Sequence, residues 1–84
     1  MQQWQYSEIE LYNDSIAVKK GWFSTDTLWV WRIKDAVNPD EYFNTLIEFL
    51  NYMGADGWEL VHLRWKKDAQ NGTEFPYMIF KTLA

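Results

Sequence analysis

The sequence predicts an α+β domain of four to five antiparallel strands with one helix packed on one face of the sheet. Three observations lead to this prediction. Several segments alternate between apolar and polar residues, one segment carries apolar residues at helical spacing, and Asn71-Gly72 is a strong signal for a tight hairpin turn. A chain of 84 residues is expected to form one small domain, residues 1–84.

The first predicted strand covers residues 4–12, WQYSEIELY. Trp4 and Tyr6 share one parity, whereas Ile9 and Leu11 share the other. This change of parity indicates either a bulge or a strand covered on both faces.

A hairpin is expected to follow the first strand. Residues 13–15 are turn formers, after which residues 15–20 form a short strand that breaks at Gly21. Residues 27–34, TLWVWRIK, then form a strand with one strongly apolar face, and we expect it to pair with the preceding strand.

The helix is expected to begin at Asn38. Asn38 suits the N-cap, Pro39 suits the first helical position, and Glu41 can complete a capping box. Its apolar stripe consists of Phe43, Leu46, Ile47, Leu50 and Met53.

The segment GADGWEL, residues 54–60, is interpreted as a structural corner. Gly54 follows the last apolar residue of the helix, where glycine can adopt a left-handed conformation, and Gly57 lets the chain reverse. A phosphate-binding loop is disfavoured, because a helix C-terminus repels anions and the segment lacks the lysine and hydroxyl of a P-loop.

The last two strands are predicted to form a second hairpin. Residues 58–65 and 75–83 flank the turn at Asn71-Gly72, and Pro76 must lie early in its strand or at an edge.

Catalysis and metal binding are not expected. The chain has no cysteine and one histidine, which excludes thiolate metal sites and leaves no usual zinc ligand set. His62 lacks a second histidine as a relay, and Asp56 and Glu59 do not form a supported carboxylate pair. We therefore predict no enzyme activity, no cofactor and no metal.

The charge of the chain makes general nucleic-acid binding unexpected. A net charge of -4 provides no overall basic face for phosphates, although basic clusters at Lys19-Lys20, Arg32/Lys34 and 64–67 leave room for a small anion. The sequence shows no basic leader and no apolar run of membrane-spanning length, so we expect a cytoplasmic protein without membrane contact.

The aromatic content points to binding. Six tryptophans and a 19% aromatic fraction exceed what a small core usually holds. The expected ligand-binding or partner-binding residues are Lys19, Lys20, Trp22, Phe23, Trp29, Trp31, Arg32, Arg64 and Trp65.

Three binding functions stay open at this point. The chain can form a homo-oligomer that buries its surplus aromatic surface. It can bind a flat anionic small molecule such as a nucleotide, which stacks on aromatic rings while a cation meets its phosphate. It can instead act as an adaptor or inhibitor that docks a partner protein.

Two parts of the sequence resemble a known family. Trp4-x-Tyr6, the helix end LNYMGADGWELV at 50–61, and Phe80-Lys81 in the last strand resemble the small domain-of-unknown-function family 4177. The resemblance implies a compact strand–helix–strand–strand domain of bacteria and their phages, with no established activity to transfer. A phage or bacterial protein that sequesters a nucleotide signal would be compatible with this context.

The resemblance covers residues 4–12 and 41–83. The Trp-rich hairpin at 13–36 is additional to the usual pattern of the family, so any function particular to this protein is expected there.

Overall fold

The computed structural model describes residues 3–38 and 40–84 as one antiparallel sheet with one helix. The predicted α+β class is therefore confirmed, with four strands. The elements are β1 (Trp4–Lys19), β2 (Thr25–Ile33), α1 (Leu46–Ala55), β3 (Glu59–Lys67) and β4 (Glu74–Leu83), and the strand order is β2-β1-β4-β3.

Strand β1 is continuous, and its two halves have different neighbours. Residues 4–10 pair with β4, whereas residues 11–19 pair with β2. The predicted turn at 13–15 is wrong, because Asn13 pairs with Trp31 and Ser15 pairs with Trp29 in an unbroken ladder. The register of β1 is constant along both ladders, so β1 has no bulge. The change of parity between Trp4/Tyr6 and Ile9/Leu11 places the two pairs on opposite faces of the sheet.

Both predicted hairpins are present. Strands β1 and β2 are joined through a turn in which Gly21 has a φ of 84°, and β3 and β4 are joined through a turn in which Gly72 has a φ of 72°. The register of the β3–β4 ladder shifts between Leu60 and His62, which places these two residues on opposite faces of the sheet.

The predicted start of the helix at Asn38 is wrong. Thr45 is the N-cap: its side chain accepts a hydrogen bond from the Glu48 N–H, and the Glu48 carboxylate accepts one from the Asn44 N–H. Phe43 cannot belong to the helix, because its N–H and C=O both bond to the Trp31 backbone at 2.8 Å. Pro39 lies outside the described residues.

The corner after the helix is confirmed, but its left-handed residue is Gly57 and not Gly54. Gly57 has a φ of 84°, its N–H donates to the Gly54 carbonyl, and the Trp58 N–H donates to the Met53 carbonyl. This pair of bonds is the Schellman motif, which satisfies the last carbonyls of the helix. Gly54 itself lies within α1.

The core lies between α1 and the odd-numbered face of β1. This face also carries the even-numbered residues of β4, because Ile9 pairs with Met78 and Ser7 pairs with Phe80. The buried core cluster consists of Leu11, Phe43, Phe49, Met53, Met78 and Phe80.

The β1–β2 hairpin extends beyond the body of the domain. Strand β4 stops pairing with β1 at Glu10, and at about 3.3 Å per residue the rest of β1 adds roughly 30 Å. The longest dimension of the molecule is 60 Å. We call residues 13–30 the arm and residues 19–26 its tip.

Candidate binding surface of the arm

The tip of the arm carries two adjacent aromatic side chains in open solvent. The Lys20 N–H donates to the Ser24 carbonyl and closes a short loop, so Gly21, Trp22 and Phe23 form the turn. Trp22 is 93% exposed and Phe23 is 101% exposed. Neither aromatic side chain is buried within its own domain. The tip is therefore the clearest candidate for contact with another molecule.

The arm also has an unpaired strand edge. In the described part of the chain, residues 12–19 form strand pairs with β2 only, which leaves the opposite edge of β1 open. Isolated two-stranded ribbons are marginally stable in water, and open edges pair readily with further strands. The arm therefore offers both aromatic side chains and unpaired backbone.

The predicted tryptophans on β2 and β3 have different surroundings. Trp29 is 65% exposed on the arm. Trp31 packs against the core, and its ring lies 6.0 Å from that of Trp65 between centroids. The Trp31–Trp65 pair therefore contributes to the fold, whereas Trp29 is available for binding.

A cleft of about 430 Å³ lies at the base of the arm. It opens where β1 and β4 separate, next to the turn between β3 and β4. Its two acidic residues are Asp68 and Glu74, and no basic residue lines it. The full lining is Tyr12, Asn13, Trp29, Asp68, Asn71, Thr73, Glu74 and Phe75.

The two predicted arginines lie on the face of the sheet opposite Trp29, Trp31 and Trp65. Arg32 alternates with Trp31 along β2, and its Nε lies 2.8 Å from an Asp14 carboxylate oxygen. Arg64 lies after the β3 register shift, with its guanidinium 5.0 Å from the centre of the Tyr77 ring. Within one chain, neither arginine joins these tryptophans in a pocket.

The two predicted lysines lie at the tip instead. Lys19 is the last residue of β1 and is exposed, and the Lys20 ammonium lies 3.5 Å from the Asp26 carboxylate in an exposed pair. They are therefore the cations next to Trp22 and Phe23.

The face opposite the helix is charged at its centre. Glu10 lies 3.7 Å from both Lys34 and Lys66, and Tyr77 lies beneath the Arg64 and Lys66 cations. Desolvation and the neighbouring Glu8 carboxylate raise the pKa of Tyr77 above its ordinary value. These contacts account for the charged residues by mutual pairing, as on an ordinary solvated sheet face.

The cleft at the base of the arm was not predicted from the sequence. The turn signal at Asn71-Gly72 could have placed Asp68 near Glu74, since both flank the same turn. No local pattern indicated that this turn would meet Tyr12 and Trp29. That proximity depends on the pairing of β1 with β4, which joins the two ends of the chain.

Nowhere in residues 3–38 and 40–84 do three or more His, Cys, Asp or Glu side chains gather in a way that could hold a metal ion. His62 is exposed on the face opposite the helix. No helix in the described part of the chain has the length and apolar character that a membrane crossing requires.

Comparison of the chain with protein-family models, with curated proteins and with solved structures gives no match.

Proposed function

We propose that the protein is a non-catalytic binding module that self-associates and binds a partner or a small aromatic or anionic ligand through its β1–β2 arm. The observation that carries this proposal is the exposure of Trp22 and Phe23 at the end of a projecting ribbon with open edges. Large aromatic side chains supply much of the energy at protein interfaces with little loss of rotamer entropy.

Self-association also accounts for the size of the domain. Small single domains bury a modest share of their surface and usually need further stabilisation. The chain has no cysteine for a disulfide. Burial of the arm between subunits would stabilise it without any change within the domain.

A flat anionic ligand such as a nucleotide would bind between subunits under this proposal. In one chain the exposed Trp29 and the arginines Arg32 and Arg64 lie on opposite faces. A second subunit would bring an arginine to the same ligand as Trp29. We place this module in the bacterial cytoplasm, as a protein of the bacterium or of its phage that sequesters a nucleotide signal.

Sedimentation of the wild type beside a tip variant tests the proposal. We expect the wild type to sediment as a multiple of 10.1 kDa. In the double variant Trp22→Ser/Phe23→Ser, we expect association to weaken at least ~10-fold, because two exposed anchors are removed. The matched control is Val37→Ser, since Val37 is 104% exposed but lies outside the arm.

Ligand binding is tested on the same proteins by tryptophan fluorescence during titration with a purine mononucleotide. Quenching in the wild type and its loss in Trp29→Ala would support the nucleotide ligand. A wild type that stays monomeric at all concentrations would contradict the proposed self-association, and a wild type without quenching would contradict the nucleotide ligand.

The alternative function is an adaptor or inhibitor that docks a host or partner protein. The same exposed tip favours it, since Trp22 and Phe23 would suit a pocket on another protein. A stable complex recovered with the wild type from its own cells, and lost in the Trp22→Ser/Phe23→Ser variant, would support this function for a monomeric chain.

The relation to family 4177 is part of the proposal. It is supported by the helix end at 50–61, whose Gly57 has a structural role in the Schellman motif. The arm is the part of this chain that is additional to that pattern.

A further inference from the structure

We propose that the arm tip of one copy of this chain docks in the acidic, aromatic cleft at the arm base of a second copy, and that the reverse contact forms in the same dimer. This inference rests on the proposed self-association and assigns it a surface. The occupant of the cleft is thus a second copy of the chain, and each copy contributes one tip and one cleft.

The tip and the cleft are chemically complementary. The tip presents Trp22 and Phe23 beside the cations Lys19 and Lys20. The cleft presents aromatic rings, including Tyr12 and Trp29, beside the carboxylates of Asp68 and Glu74. Aromatic rings would therefore meet aromatic rings, and lysines would meet carboxylates, at each end of the interface.

Asp26 is the acidic residue of the tip and balances part of its positive charge. Both side chains of the Lys20–Asp26 ion pair are exposed, and the distance from the ammonium nitrogen to the carboxylate oxygen is 3.5 Å. Lys19 therefore supplies the net positive charge of the tip. The cleft has two carboxylates and no basic lining residue, so its net charge has the opposite sign.

The geometry of β1 brings these two surfaces together. Strand β4 ends its pairing with β1 at Glu10 and leaves the edge of residues 12–19 open on the side of the cleft. A two-fold axis near Ile16 would pair this edge antiparallel with the same edge of a second copy. The end of one β1, at Lys19, would then lie beside Tyr12 of the other copy, which lines the cleft.

In this arrangement the partner's β1 lies beside residues 12–19 of β1, where β4 no longer pairs. Strand β4 runs antiparallel to β1, and so does the partner's β1. The partner strand would therefore continue the line of β4 beyond Glu74, the first residue of β4 and part of the cleft. A continuous four-stranded ribbon of two arms would result, with its open inner edges paired.

Complementary charge reversal tests this docking directly. The tip variant is Lys19→Glu/Lys20→Glu, and the cleft variant is Asp68→Lys/Glu74→Lys. Each homodimer then places like charges together, so we expect each variant alone to associate at least ~10-fold more weakly than the wild type. An equimolar mixture has opposite charges at both contacts, and we expect heterodimers with wild-type affinity in native mass spectrometry.

The matched control replaces the cleft variant by Asp56→Lys/Glu59→Lys. This variant has the same change in net charge, but its two exposed residues lie after the helix and away from the cleft. We expect no preferential heterodimer between it and the tip variant. Circular dichroism of each purified variant confirms that the sheet is intact before mixing.

The outcomes separate the docking from the proposed function. A monomeric wild type would overturn both. A dimeric wild type whose variants remain dimeric alone, or whose mixture shows no preference for heterodimers, would overturn the docking while the self-association stands. Variants that fail the folding check are replaced by the single changes Lys19→Glu and Glu74→Lys, for which the same heterodimer preference is expected.

Discussion

The indole rings of Trp31 and Trp65 are in contact, with centroids 6.0 Å apart, although β1 and β4 lie between their strands. Three strand spacings of about 4.8 Å would separate these strands by roughly 14 Å in a flat sheet. In the intervening ladders Trp65 pairs with the buried Pro76 and Trp31 pairs with Asn13, so the two rings meet across these residues. The pair closes the apolar face next to the helix.

A double-mutant cycle on this pair is expected to show direct coupling. We predict that Trp31→Leu and Trp65→Leu couple by about 1 kcal/mol in the free energy of unfolding, because a tilted aromatic pair contributes beyond buried area. Urea denaturation of the two single variants and the double variant measures this. The control cycle pairs Trp65→Leu with Trp4→Leu on the other face of the sheet, and we expect its coupling to be near zero.

The two glycines at the end of the helix are expected to respond to alanine with opposite signs. Gly57→Ala should destabilise the fold by about 1 kcal/mol or more, since φ is 84° there. Gly54→Ala should stabilise it by about 0.5–1 kcal/mol, because Gly54 lies in the helix and an added Cβ meets open space. Denaturation midpoints of both variants measure the two effects, and equal signs would contradict the assigned conformations.

The start of the helix is tested by its cap. Thr45→Ala should lower the free energy of unfolding by about 1 kcal/mol, because the Glu48 N–H loses its acceptor. Asn38→Ala is the control, and we expect a change within about 0.5 kcal/mol, since Asn38 caps no helix and its bond of 3.2 Å from the Asp40 N–H is exposed to solvent. Thermal unfolding of both variants compares the two positions. A larger loss of stability in Asn38→Ala than in Thr45→Ala would support a helix that begins at Asn38.

Single cysteines along the arm are expected to cross-link a dimer near its two-fold axis. The chain has no cysteine, so each introduced thiol is the sole reactive one. We predict that oxidised Ile16→Cys or Ala17→Cys runs as a covalent dimer in non-reducing electrophoresis, because residues near the axis face their own copies. Gln70→Cys, exposed on the other hairpin, should remain largely monomeric.

Local patterns were sufficient to predict the types of element and both hairpin turns. Asn71-Gly72 and the apolar stripe ending at Met53 act within a few residues, and the structure retains both. The predictions failed where distant partners decided the outcome. Asn13 and its neighbours have turn propensity, but nine consecutive cross-strand pairs with β2 hold them in a strand.

The start of the helix failed for the same physical reason. Asn38 and Glu41 match a capping box in spacing, yet Phe43 gives its backbone bonds to Trp31 on β2. The candidate surface was also predicted only in part. The exposure of Trp22 and Phe23 was predicted because two adjacent aromatics in a turn are visible in the local sequence, whereas the cleft brings Tyr12 to Glu74 from distant parts of the chain.

The two halves of β1 have a consequence for the order in which the chain folds. Pairing with β2 joins residues close in sequence, such as Val18 and Asp26, whereas pairing with β4 joins Trp4 to Leu83. Closing the longer loop costs more entropy and slows the step. We expect each hairpin to form early and the docking of β4 onto β1 to limit the folding rate. The β1–β2 arm would then form before the four-stranded sheet is complete.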